Sequence, residues 1–248
     1  IDLSRFGAEV YDVLALQNHP ISLPVLPAAR PLIERKITGE SSMLGLKENK
    51  TSDMFTTSLL DIVQFEPNRL APGAWIGHIP FAVWMIKQIK PSNFVELGTH
   101  YGNSYLSFCQ AVSEANLSTK CYAVDTWQGD EHAGFYGDEV YLNLFSYHQK
   151  HYGSFSRLLR QTFDEANQYF SDGSIDLLHI DGFHSYKAVK HDFETWLPKL
   201  SPHAVVLFHD TNVRERDFGV WKLWEELSNK YPLHFEFIHS YGLGVLQL

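Results

Sequence analysis

The chain has 248 residues and a hydrophobic fraction of 44%, enough for one domain with a full core, or for a domain with an appended arm. Its formal net charge of -9 argues against a binding surface for nucleic acid or an anionic membrane, because both need a basic face. No apolar run approaches the roughly 20 residues of a membrane span, and no signal-peptide pattern opens the chain.

The sequence of residues 1–70 predicts an N-terminal arm without a core of its own. A short helical face precedes a proline-rich stretch, and Gly39–Asp53 is polar and loop-like. The helical face consists of Phe6, Val10, Val13 and Leu14, and the prolines are Pro20, Pro24, Pro27 and Pro31. The chain begins at Ile1 instead of methionine, so we expect it to be excised from a longer protein. A helix over Ile79–Ile89, entered through Pro80, is predicted near the start of the main domain, residues 71–248.

From Asn93 onward, short β-prone runs alternate with helical patterns, which predicts βαβ units, a mainly parallel sheet and right-handed crossovers. The predicted strands are Phe94–Leu97, Cys121–Val124, Arg157–Arg160, Ile175–Ile180 and Ala204–Phe208. The predicted helices are Ser104–Ala115, Glu139–His151, Asp164–Phe170, Tyr186–Leu197 and Phe218–Lys230. Cys109 and Cys121 both fall in apolar segments, so we expect buried free thiols in a reducing, cytoplasmic compartment.

The end of the chain predicts an antiparallel strand. Two strand-like runs, His234–His239 and Leu243–Leu248, are joined by three residues only. So short a connection permits a hairpin and forbids a parallel crossover.

The turn after the first predicted strand indicates a ligand site. Gly98 and Gly102 would let the backbone approach a ligand without an intervening Cβ. Asn103 or Ser104 can cap the next helix, whose free N–H groups favour an anion such as a carboxylate. Asp125 ends the second strand, 23 residues after Gly102, where a carboxylate binds ribose hydroxyls in nucleotide-binding folds of this type.

A dinucleotide is the first alternative for this site. Its fingerprint is G-x-G-x-x-G, but the chain has His100 where the second glycine should stand, which would crowd a pyrophosphate. Glu96, just before the turn, suits a cationic amino-acid group better than a pyrophosphate. The pattern therefore favours a nucleoside cofactor that carries an amino acid.

Four sequence blocks resemble class I S-adenosylmethionine-dependent methyltransferases. They are Val95–Gly102, Asp125–Asp130, His179–Tyr186 and Leu207–Thr211. The most similar branch holds the sugar O-methyltransferases of macrolide tailoring and of bacterial polysaccharide synthesis, some of which are fused to glycosyltransferases. The resemblance covers about residues 70–248 and implies a Rossmann-like three-layer sandwich, with a seven-stranded, mostly parallel sheet and an antiparallel last strand.

The same resemblance implies positions around the cofactor S-adenosylmethionine. Glu96 and Gly98 would lie near its methionine part, Asp125 would hold the ribose, and Thr162 and Phe163 would border the adenine. The complete set of cofactor residues expected is Glu96, Gly98, Thr99, Gly102, Ser104, Asp125, Thr126, Thr162 and Phe163.

A second cluster of candidate residues follows the fourth and fifth predicted strands. Asp181 ends one strand and His184 comes three residues later, whereas His209 and Asp210 end the next. Adjacent parallel strands would bring these groups to one crevice beside Gly98. Carboxylates and imidazoles placed together suit a hard metal ion and a general base.

The chemistry expected there is methylation of a sugar hydroxyl, a poor nucleophile. A divalent metal such as Mg²⁺, held by Asp181 and Asp210, could acidify the hydroxyl, and neutral His184 could remove its proton. Asp181, His184 and Asp210 match the macrolide sugar methyltransferases. His209 departs from them, since it stands where the relatives have a carboxylate, and it completes the expected metal set of Asp181, His209 and Asp210.

Other interpretations of these residues remain open. Asp181 could merely cap a helix, His184 could be a solvated turn residue, and His179 is predicted to be a core histidine, with His191 and His203 at the surface. A second metal hypothesis is the two-histidine, one-carboxylate triad of iron oxygenases, formed here by His179, Asp181 and His209, although those signatures occur in all-β folds. A non-catalytic domain that binds cofactor or glycan beside a partner enzyme is the second functional hypothesis.

The loops indicate how an acceptor glycan could be recognised. Residues 127–138, with three glycines and several aromatic residues, suit a lid or a carbohydrate contact. Arg214 and Arg216 could bind a phosphate or a nucleotide sugar, and Trp75 and His78 could close over the site from the arm.

Overall fold

The computed structural model describes residue 62 and residues 64–248. The helical face and the prolines predicted for the arm therefore lie outside the described residues. The main sheet contains β1 (Asn93–Leu97), β2 (Lys120–Asp125), β5 (Ser156–Arg160), β6 (Ile175–Ile180), β7 (Leu200–His209), β8 (His234–Phe237) and β9 (Leu243–Gln247). A separate two-stranded ribbon consists of β3 (Gly129–Asp130) and β4 (Gly134–Phe135). The α-helices are α1 (Ile79–Ile89), α2 (Asn103–Glu114), α3 (Asp138–His151), α4 (Phe163–Asn167), α5 (Tyr186–Trp196) and α6 (Val220–Lys230).

The main sheet has the strand order β5-β2-β1-β6-β7-β9-β8. Strand β9 runs antiparallel to both neighbours, and every other adjacent pair is parallel. This confirms the predicted Rossmann-like α/β fold with seven strands, mostly parallel, and an antiparallel last strand. The short turn after β8 leaves β9 no other way to pair than as a hairpin.

Helices cover both faces of the sheet, because alternate side chains of each strand point to opposite sides. Phe94 of β1 packs in one cluster with residues of α1 and α2. Val95 and Leu97 pack in the other cluster, with residues of α5 and α6. The three-layer sandwich expected from the sequence is therefore present.

The observed elements differ most from the sequence prediction in β7, in α4 and in the two-stranded ribbon. Strand β7 begins at Leu200, earlier than expected, and α4 ends at Asn167 instead of continuing to Phe170. The ribbon of β3 and β4 was not predicted, because two-residue strands that contain glycine carry too short a pattern to detect.

The sheet places its crevice between β1 and β6. From β1 the chain moves to β2 on one side, whereas β6 returns to the other side of β1. Ligands of open α/β sheets bind at the carboxyl ends of the strands beside such a switch point. The turns that begin at Gly98 and Asp181 both lie there.

Position 98 requires glycine because the backbone of Asp181 lies directly against it. Its φ is 87°, in the left-handed region, and an added Cβ would overlap the carbonyl oxygen of Asp181. Gly102 has φ 85°, and its Cβ would press on the side chain of Leu144. Packing within the protein therefore already requires both glycines, and their contact with a ligand stays a prediction.

Gly98→Ala should destabilise the protein more than Gly173→Ala does. Gly173 also has a left-handed φ, 69°, but a Cβ there would meet nothing within 4 Å. We expect Gly173→Ala to lower the free energy of unfolding by about 1–2 kcal/mol. Gly98→Ala should lower it by about 2–5 kcal/mol, because overpacking adds to the same strain. Urea denaturation of both variants measures the difference, and equal losses would contradict this account.

Candidate active site

One cavity of about 670 Å³ opens at the carboxyl ends of the central strands. It brings together nearly every residue that the sequence singled out. The predicted site residues that line it are Gly98, Thr99, Gly102, Ser104, Asp125, Thr126, Thr162, Phe163, Asp181, His184, His209 and Asp210. Glu96 is absent from the lining.

Asp125 organises the turn after β1. Its Oδ2 accepts hydrogen bonds from the backbone N–H groups of Thr99, at 2.8 Å, and His100, at 2.9 Å. Its Oδ1 accepts another from Trp127 N–H at 2.7 Å. The carboxylate therefore holds two loops in place, and only its remaining acceptor capacity is left for a ligand.

Helix α2 begins with open backbone donors. Gly102 is its N-cap and no side chain accepts from the first turn, so the expected caps Asn103 and Ser104 are corrected. Asn103 instead exchanges hydrogen bonds with the backbone of Ala71, at 2.8 and 2.7 Å. The unsatisfied N–H groups at the start of a 12-residue helix, together with the helix dipole, suit an anionic group in the cavity.

Glu96 belongs to a buried network below the cavity. His179 Nδ1 lies 2.8 Å from Glu96 Oε2, and Trp75 Nε1–H donates to His179 Nε2 at 3.1 Å. Because Nε2 accepts, the proton of a neutral imidazole sits on Nδ1 and is donated to Glu96. Burial raises the pKa of Glu96, and its neighbours His179 and Ser104 oppose that shift.

The same network confirms that His179 is a core histidine. Its side chain is fully buried and both ring nitrogens have partners. Neither nitrogen is left for a metal ion, so the arrangement does not support the iron triad. The structure also confirms His191 and His203 as exposed residues.

The reacting cluster joins two carboxylates and two imidazoles after β6 and β7. His184 Nε2 lies 2.8 Å from Asp210 Oδ2 and 3.7 Å from Asp181 Oδ1. His209 Nδ1 lies 3.2 Å from Asp181 Oδ1 and 3.4 Å from Asp210 Oδ2. Each carboxylate therefore faces both imidazoles.

This arrangement favours charged forms of all four groups. Burial by itself lowers the pKa of His184, but the hydrogen bonds and charges of Asp181 and Asp210 outweigh it and raise the pKa to about 9. For His209 the same two carboxylates also outweigh burial, and they raise the pKa to about 10. Burial would raise the pKa of each carboxyl, yet the two histidines hold both below the usual range. In the metal-free protein His184 is thus an imidazolium at pH 7, which differs from the expected neutral base.

Part of this cluster has the spacing of a cation site. Among the described residues, ligand atoms of Asp181, His184 and Asp210 all lie within 4.8 Å of one another. His209 is outside this group, and its Nε2 donates to the carbonyl of Ser240 at 3.1 Å. The donor types suit a divalent cation, provided that His184 first loses its proton.

Loop residues that the sequence analysis did not assign complete the cavity. His132 and Phe218 line it, and Phe218 stacks on His184 with ring centroids 4.7 Å apart. The only signal for His132 was its place in the loop of residues 127–138. Among the residues suggested earlier, Trp75 lines the cavity, whereas His78 is buried behind the lining, with its ring 5.6 Å from that of His209.

The two arginines lie at the cavity mouth. Arg214 covers the ring of Trp221 at 4.3 Å, and Arg216 lies 5.3 Å from the ring of Phe218. Cys109 and Cys121 are buried free thiols, as predicted. No helix among the described residues is both long and apolar enough to cross a membrane.

Comparison with known proteins finds one family model that matches part of the chain. Residues 95–211 match the model of the methyltransferase domain family Methyltransf_24. The chain is 53% identical over 198 residues to a curated Sinorhizobium fredii protein, the uncharacterized protein y4gI. That match covers 79% of the chain and 21% of the relative, so the chain spans about a fifth of the relative's length.

Solved structures show the same fold at low identity. A candidate caffeoyl-CoA O-methyltransferase from Staphylococcus aureus is 17% identical, with a TM-score of 0.52 over 80% of this chain and 92% of that one. An O-methyltransferase from Bacillus cereus in complex with SAH is 12% identical, with a TM-score of 0.50 over 77% and 91% of the two chains.

The charge state of the cluster should make stability depend on pH. Both imidazoles bind a proton more tightly in the folded protein than in the unfolded chain, where the pKa is about 6.5. Their contribution is complete below that pH and is lost as the pH rises through about 9 for His184 and about 10 for His209. In the presence of a chelator, the free energy of unfolding measured with urea should fall between pH 7 and pH 10.

Two variants control this measurement. His184→Asn should flatten the decline, whereas His191→Asn, at an exposed His–Asp pair, should leave it unchanged. A decline equally steep in all three proteins would show that other groups cause it.

Proposed function

We propose that the chain is an S-adenosylmethionine-dependent O-methyltransferase that methylates a sugar hydroxyl in polysaccharide or glycoside synthesis. The observation that carries the proposal is the joining of two sites in one cavity. Open helix donors and Asp125 lie on one side, and the Asp181–His184–Asp210 cluster lies on the other. The methyltransferase domain match over residues 95–211 supports the same reaction class.

The cofactor side fits S-adenosylmethionine in size and in chemistry. A cavity of about 670 Å³ falls within the usual range of small-molecule sites. The N–H groups at the start of α2 would bind the carboxylate, Asp125 and Thr126 would face the ribose, and Thr162 and Phe163 would border the adenine. When bound, the cofactor supplies an electrophilic sulfonium methyl group.

His184 is the proposed general base. Its Nε2 is oriented by Asp210 at 2.8 Å, and its Nδ1 has no hydrogen-bond partner among the described residues. Nδ1 is also buried, so Nε2, on the side of Asp181 and Asp210, is the nitrogen that would take the hydroxyl proton, and Asp210 would stabilise the imidazolium that forms. Because its pKa is about 9, His184 must first lose a proton before it can act.

A divalent metal such as Mg²⁺ remains part of the proposal as an assisting group. Oxygen atoms of Asp181 and Asp210 lie within 4.8 Å of each other and would hold the cation, whose charge would favour the neutral form of His184 that acts as the base. Such an ion would acidify and orient the acceptor hydroxyl. His209 is already protonated and faces both carboxylates, so in this structure it serves as a counter-charge that competes with metal.

The sugar acceptor is supported by the resemblance of the motif blocks and by the cavity mouth. Tyr136, Tyr241, Arg214 and Arg216 all line the cavity, and rings with polar partners suit sugar faces and hydroxyls. The chain matches only part of a much longer relative. A fused or associated glycosyltransferase would provide such an acceptor.

A non-catalytic domain is the second candidate. The observation that favours it is the self-neutralised cluster, in which two imidazolium ions already balance two carboxylates. Such a domain would bind cofactor or glycan and position a partner enzyme. Methyl transfer by the isolated chain distinguishes the two candidates.

Calorimetry with S-adenosylhomocysteine tests the cofactor assignment. We expect a dissociation constant below about 100 µM, equivalent to about −5.5 kcal/mol. NADH serves as the control ligand, because His100 occupies the position of a dinucleotide-loop glycine. Absence of S-adenosylhomocysteine binding at high micromolar concentration would remove the proposed function.

His184→Ala should separate binding from catalysis. Cofactor affinity should stay near that of the wild type, while methyl transfer from labelled S-adenosylmethionine to a glycan falls about 10²–10⁴-fold. His191→Ala, an exposed histidine on α5, is the matched control. Near-normal turnover in His184→Ala would show that another group is the base, and full activity of the wild type in excess EDTA would eliminate the metal.

A further inference from the structure

We propose that His132 is a positioning residue that fastens loop 127–138 over the reacting cluster and holds Phe218 against His184. Only its effect on cofactor release rests on the proposed function, because the fastening itself is a property of the fold. The inference depends on three sets of contacts that the loop makes.

The first set is a stack of rings. The side chain of His132 is only 4% exposed and lies between Phe183 and Phe218, with ring centroids 4.4 Å away on each side. The planes are nearly parallel, at 20° and 19°. Phe218 in turn stacks on His184 at 4.7 Å and 8°. His132 also lies 5.5 Å from His184, so both imidazoles pack against Phe218 and His132 directly borders the proposed base.

The second set is polar. His132 Nε2 lies 2.6 Å from Asp217 Oδ1, on the segment that follows β7. Within the loop, Asp130 Oδ1 accepts from the N–H groups of His132, at 2.7 Å, and Ala133, at 2.8 Å. The loop tip is thus folded so that one side chain is presented to the body of the protein.

The third set concerns the base of the loop. Trp127 is fully buried, and its Nε1–H donates to the carbonyl of His100 at 3.0 Å. That anchor ties the loop to the cofactor side of the cavity, whereas His132 ties it to the reacting side. The loop therefore bridges both halves of the site.

Few other groups can hold the tip. Glu131, Ala133, Gly134 and Phe135 are all exposed, and Phe135 has 78% of its surface open to solvent. Within residues 131–135 only His132 inserts into the protein. Removing its ring should release the tip and let Phe218 move away from His184.

Hydrogen–deuterium exchange on the full chain tests the fastening. In His132→Ala, amides of residues 129–136 should exchange at least about tenfold faster than in the wild type. Asp217→Asn should give a smaller increase, because the ring stack remains. His191→Ala removes an exposed His–Asp pair, at 2.9 Å, and should change nothing in this loop. If the amides of residues 129–136 exchange at the wild-type rate in His132→Ala, the proposal is overturned.

A spectroscopic measurement tests the effect on His184. Its ring resonances in a ¹H–¹³C spectrum depend on the ring currents of Phe218 and of His132, at 4.7 and 5.5 Å, so they should move in His132→Ala. His132→Phe keeps the stacked ring and should restore them, while Asp217 loses its partner. Unchanged His184 resonances in His132→Ala would refute the positioning role.

A kinetic measurement connects the loop to the cofactor. Dissociation of S-adenosylhomocysteine from His132→Ala should be several-fold faster than from the wild type and from His191→Ala, and equal rates would contradict closure over the cavity. If the wild type does not bind S-adenosylhomocysteine, the proposed function fails, whereas the exchange and resonance measurements still decide the role of His132.

Discussion

The contact between the turns after β1 and β6 is the constraint on which the site depends. Asp181 N–H donates to Leu97 O at 2.8 Å, and the carbonyl of Asp181 occupies the space that a Cβ of Gly98 would need. Neighbouring parallel strands can approach this closely only with glycine at that position. The turn on the cofactor side, at Gly98, therefore packs directly against the turn on the reacting side, at Asp181.

Carboxylates organise both sides of the cavity, but they do so differently. Asp125 accepts hydrogen bonds from three backbone N–H groups and so determines the shape of the turn after β1. Asp181 and Asp210 are neutralised by two imidazolium rings. Burial alone would favour the uncharged forms, so each charge persists only because its partners stay close. A metal ion would have to replace protons in this cluster.

Most of the fold could be predicted from the sequence, because its signals are local. Alternating β-prone runs and helical periods indicated the parallel sheet, and three residues between His234–His239 and Leu243–Leu248 were enough to predict an antiparallel strand. Failures occurred where the signal was short or where tertiary packing decided the outcome. The β3–β4 ribbon has only two residues per strand, and the cap of α2 is Gly102 because Asn103 binds Ala71 instead.

The sequence alone determined which groups stand at the ends of strands, since the topology brings those ends to one edge. That is why the sequence could predict that Asp125, Asp181, His184 and Asp210 lie along one edge of the sheet. Only the tertiary structure decided their protonation and their partners, because both depend on distances between residues far apart in the chain. It paired Glu96 with His179 outside the cavity lining, raised the pKa of His184 through Asp181 and Asp210, and placed the ring of His132 beside His184.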